Sequence, residues 1–132
     1  MENEVITDAY TIEVDRQNKL CIVTGNEEVN FEKTMEVFEL AENIPELYSD
    51  FSVIADMRSV NYHPTFEEIM TIKNRIVLEK DALQGKVALL TAGRITILAD
   101  LICAFSRAAG INMKSFRNME NARKWIHPDD NS

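Results

Sequence analysis

The chain has 132 residues, 45% of them apolar, with a formal charge of −8 and a pI near 4.7. This length is one domain's worth and suffices for one sizeable core. The negative charge argues against a nucleic-acid backbone or an anionic membrane surface as partner, since both repel it at long range.

Met1-Glu-Asn-Glu-Val-Ile-Thr-Asp8 lacks the cationic and apolar regions of a signal peptide. No apolar run approaches the ~20 residues of a membrane span, so the reading expects a soluble, cytoplasmic protein. Residues 1–9 read as a flexible acidic leader, 10–126 as a single domain and 127–132 as a frayed tail. Tyr10–Asp15 alternates in type and Lys19–Thr24 is apolar and β-branched, which predicts a hairpin. Cys21 and Cys103 each sit inside an apolar run and read as buried free thiols of a reducing compartment.

Asn30 precedes an amphipathic helix, Phe31–Glu42, with Phe31, Met35, Phe38 and Ala41 on one stripe, closed near Pro45. Phe51–Asp56 reads as a buried strand and Met57–Pro64 as a loop. Thr65-Phe-Glu-Glu68 matches a capping box, so a helix begins there and runs to about Lys80. Its core stripe is Phe66, Ile69, Ile72 and Ile76, widened by Met70 and Val77. Gln84-Gly85 turns into a strand, Lys86–Thr91. The helix from Arg94 to Ala109 is apolar around about half its circumference, more than one sheet face needs. Gly110 is placed to end it in a left-handed conformation. A strand over Asn112–Phe116 and a last helix over Asn118–Ile126, with Trp125 closing the core, complete the chain. Strand, helix and strand in succession make crossover units, hence α/β with a mostly parallel sheet.

The order of elements resembles the STAS domain, the SpoIIAA fold, over about Tyr10 to Ile126. Phe51-Ser-Val-Ile-Ala-Asp56, Met57-Arg-Ser-Val60 and the helix from Thr65 are similar to that family's strand–Asp–loop–helix segment. Phe116-Arg-Asn-Met-Glu-Asn-Ala-Arg-Lys-Trp-Ile126 resembles the close of bacterial SpoIIAA-like proteins, grouped with the STAS and CRAL-TRIO lipid-binding folds. The resemblance implies five strands, mostly parallel after an N-terminal antiparallel hairpin, and four helices. Phospho-regulated members carry Asp-Ser-Ser-Gly ahead of the corresponding helix. The matching stretch here is Pro64-Thr65-Phe66-Glu67, so Phe66 stands at the phosphoacceptor and the switch does not transfer. Thr65 falls at the first serine, where capping already explains it.

Ligands of open α/β sheets bind beyond the carboxyl ends of the strands. That edge gathers Asp56, Arg58, Ser59, His63 and Thr65, then Thr91, Gly93 and Arg94. Arg58 and Arg94 with two helix N-termini suit a phosphate or carboxylate; alternatively Arg58 pairs with Asp56 or a nearby glutamate and Arg94 is solvated. His63 has no partner nucleophile at a recognisable spacing and Gly93 stands alone, so no enzyme, metal or cofactor motif is identified. The surplus apolar face, Ile97, Leu101, Ala104 and Phe105, reads as deeply buried, as a homodimer interface, or as the wall of an apolar pocket. Two functions follow: a non-enzymatic regulatory domain that binds a protein partner or itself, or a carrier or sensor of a lipid-like ligand with its anionic head near Arg58 and Arg94.

Overall fold

Asp15 sets the reversal between the second and third strands. Its carboxylate accepts the Asn18 backbone N–H at 3.2 Å and the Asn18 side-chain amide at 2.8 Å. Lys19 takes φ 49°. The reversal pairs β2 (Tyr10–Asp15) antiparallel with β3 (Leu20–Gly25), as the alternation predicts. The computed structural model describes residues 3–128.

One strand was not foreseen. Asn3–Ile6, assigned by the sequence reading to the leader, forms β1 and pairs antiparallel with β2, Val5 opposite Ile12. Among the described residues the sheet therefore has six strands rather than five. Four residues carry too little periodicity to be recognised alone; the free edge of β2 supplies the order by offering a row of unpaired N–H and C=O groups. Beyond β3, the strands β4 (Ser52–Asp56), β5 (Val87–Leu90) and β6 (Met113–Phe116) add in parallel, in chain order.

Each parallel step is bridged by a helix: α1 (Phe31–Ala41), α2 (Phe66–Leu78) and α3 (Ile95–Ala108). Asn30 caps α1, and the Thr65–Glu68 capping box opens α2. Three right-handed crossovers that advance in one direction place their helices on one face. On that face Ile12, Cys21, Val53, Val87 and Met113 of the strands meet Ala41, Ile69, Ile102 and Cys103 of the helices. A single turn of 3₁₀ helix, Pro45–Tyr48, follows α1 and adds Leu47 to this core. Gly110 closes α3 with φ 103°, as expected.

The opposite face is covered by α4 (Met119–Ile126), whose Ala122 and Ile126 pack on Leu20, Ile54, Ala88 and Leu90. Trp125 lies 5.5 Å from Phe116, ring centre to ring centre, and Lys86 Nζ donates to its carbonyl at 2.7 Å. The expected tail falls mostly on residues 129–132, outside the described residues. Among the described residues no helix is long and apolar enough to cross a membrane.

Candidate functional site

Ala55 lies one residue before the end of β4, opposite Val23 of β3, and is in register with Leu89 of β5. A small side chain at the centre of the sheet leaves space under the helices. There a cavity of about 240 Å³ is bounded by Val23, Val53, Ala55, Val87 and Leu89 below and by α1, α2 and α3 above. Native interiors have few voids larger than a water molecule. The space is not sealed but partly open to the surface.

Thr34, Val37, Phe38 and Ala41 bring α1 to the wall, and Ile69, Ile72 and Ile76 bring α2. The α1 face is thus turned from the predicted stripe: Phe31 and Met35 do not line the cavity, whereas Thr34 and Val37 do. On α2, Phe66 leaves the expected core stripe and is 64% exposed, at the first position of the helix. Ile95, Leu98, Ala99 and Ile102 complete the roof from α3.

The loop after β4 closes one end by alternation. Met57, Val60, Tyr62 and Pro64 line the cavity, while Arg58, Ser59, Asn61 and His63 are exposed. The residues singled out for their chemistry are therefore the outward ones, and the inward ones were missed. The spacing Val60-x-Tyr62-x-Pro64 was the available signal.

Asp56 belongs to the other sheet face, in register with Leu90 and Phe116. Arg58 grips it bidentately, Nε to Oδ1 at 2.9 Å and Nη2 to Oδ2 at 2.8 Å. This guanidinium holds the Asp56 carboxyl below its ordinary range. The pairing is the alternative the sequence left open, and it takes Arg58 out of an anion site. Thr65 accepts the Glu68 N–H at 3.1 Å, and Glu68 Oε1 accepts the Thr65 N–H at 2.9 Å.

Three of the polar side chains in the wall, Tyr10, Thr34 and Glu79, have partners. Tyr10 and Thr34 hydroxyls share a hydrogen bond of 3.1 Å. Glu79 accepts from Arg75 at 2.8 Å, and Arg75 also reaches Glu42 at 2.7 Å. Tyr62 Oη is buried and stands near the Glu68 carboxylate without completing a hydrogen bond; burial, with that carboxylate beside it, pushes the phenol up. Thr91 Oγ1 is buried and has no partner; the same holds for Thr96 Oγ1 and Ser106 Oγ, which lie outside the wall.

The surplus face of α3 divides in two. Ala99, Ile102 and Cys103 are buried in the core, while Ile97 is 77% exposed and Phe105 37%. Lys73 Nζ sits 5.4 Å from the Phe105 ring centre, Leu101 is half-buried and Ala104 exposed. The predicted interface residues thus form an outer stripe, separate from the cavity. Among the described residues no cluster of His, Cys, Asp and Glu has the arrangement of a metal site. No family model matches the chain, and no curated protein matches it.

Proposed function

We propose that the chain is a STAS-like domain that binds a small apolar or amphipathic molecule between its sheet and its three crossover helices. The cavity under α1, α2 and α3 carries this reading: its wall is almost wholly apolar, and no side chain of the protein fills it. An apolar occupant would make van der Waals contacts along this wall and remove its apolar surface from water. Small-molecule sites have this character, apolar walls with few polar groups. Asp56, Arg58, Ser59, His63 and Thr65 then serve the loop and the helix start, and the reading assigns the domain no chemical step.

Native mass spectrometry of the protein purified from its own cells tests this. An additional mass that disappears on denaturation is expected, and Ala55→Phe, which fills the space from the sheet, is expected to remove it. A bare wild-type chain that also takes up no medium-chain alcohol or fatty acid would overturn the reading.

A second reading rests on a different observation. Ile97 and Leu78, each 77% exposed, and Phe66 leave apolar surface on the outside of α2 and α3. Exposed apolar patches of this kind mark association surfaces. The occupant under this reading is a second copy of the chain.

A further inference from the structure

Thr91 directly follows β5 and continues its alternation: Leu89 faces the cavity, Leu90 the α4 side, and Thr91 the cavity again. The residue is 2% exposed. Its N–H donates to the Phe116 carbonyl at 3.2 Å, so its backbone is engaged, but Oγ1 has no hydrogen-bond partner. A buried hydroxyl left unpaired in an apolar wall is unfavourable and calls for an explanation. A polar group on the cavity's occupant provides one.

The neighbouring backbone indicates the charge of that group. Three residues on, Arg94 stands at the N-cap of α3, and its side chain accepts nothing. The other three helices are capped by Asn30, Thr65 and Asn118. Of the amides opening α3, Thr96 N–H reaches the Gly93 carbonyl at 3.3 Å. The first turn holds no acid. Instead it carries the Arg94 cation at the positive end of the helix, the opposite of what the dipole favours. Arg94 makes no ion pair among the described residues. Gly93, with φ 69°, leaves the approach open, since nothing stands within 4 Å of where its Cβ would be. Ile95, in the same turn, lines the cavity with Thr91.

We infer that the occupant is a single-chain amphiphile with a carboxylate head. The head accepts the Thr91 hydroxyl hydrogen and the open N–H groups of α3 beside Arg94, and the tail lies in the cavity. One guanidinium and one hydroxyl suit a monoanion better than a phosphate dianion. A cavity of about 240 Å³ suits a tail of medium length, for which an eight-carbon chain is the probe. This inference rests on the cavity being the binding site.

Calorimetric titration with octanoate and with 1-octanol separates the two claims. Wild type is expected to bind octanoate about tenfold more tightly than 1-octanol, as one charge-assisted hydrogen bond allows. Thr91→Val, of nearly the same shape, is expected to reduce that preference severalfold while melting no lower than wild type. Arg94→Gln, at an exposed position, is expected to weaken octanoate alone and flatten its salt dependence. Equal affinity for the two ligands in wild type, or wild-type octanoate affinity in both variants, would overturn the head assignment and leave the cavity reading standing. If neither ligand binds, the cavity reading itself fails.

Discussion

Cys21 and Cys103, 0% and 1% exposed, are core residues whose chemistry burial suppresses. Desolvation pushes the Cys21 thiol up to about 12 and the Cys103 thiol up to about 11. Both thiols ionise near their ordinary range once the chain unfolds. Between pH ~9 and those raised values the unfolded state has lost protons that the folded state keeps, so stability falls as pH rises, by up to ~1.4 kcal/mol per pH unit for each thiol. Native protein at pH 8 is expected to resist a thiol-specific disulfide reagent, with both groups reacting on unfolding in urea; rapid labelling of the native chain would contradict this. The apolar runs around both cysteines made that burial legible. The loop chemistry was less so. Arg58 and His63 attract notice by residue type, but direction decides their role, and the alternation from Met57 to Pro64 turns both outward.

At the scale of the element, local signals predicted best where one helix turn contains its own explanation. The Thr65–Glu68 box forms reciprocally as the spacing implies, with partners three residues apart and no tertiary contact required. Thr65→Ala is expected to lower stability by about 1 kcal/mol in urea denaturation while leaving ligand uptake unchanged. A larger loss, or a loss of binding, would mean that Thr65 does more than cap. The first strand is the opposite case. Asn3–Ile6 becomes a strand because β2 has an edge to offer, a property of the assembled sheet rather than of those four residues. The width of the apolar face of α3 was also visible in the chain. Its division into a buried half that roofs the cavity and an outer half around Ile97 was not, since the division depends on where α2 and the sheet lie.

At the scale of the molecule, the outer stripe on α2 and α3 meets a net charge of −8. Two copies repel each other at low ionic strength, and added salt screens that repulsion. Sedimentation is therefore expected to show a dimer above micromolar concentration that tightens with salt and is lost in Ile97→Glu. A monomer throughout would remove the self-association reading and leave the cavity reading intact. The strand order bears on where a ligand can sit. Because the sheet runs from β1 to β6 in chain order without reversing, it has no switch-point crevice of the kind that doubly wound folds use. The space forms inside the layer instead, under three helices that share one face.

The amino-acid sequence alone determined the alternation of strands and helices, the caps at Asn30, Thr65 and Asn118, the glycine stop at Gly110 and the burial of both cysteines. These follow from contacts and periodicities spanning a few residues. The sixth strand, the cavity and the unpartnered Thr91 hydroxyl were decided by tertiary structure. Each exists only because segments far apart in the chain are brought together, and an empty volume in particular belongs to no residue: it is what Ala55, three helices and a folded-over loop leave between them.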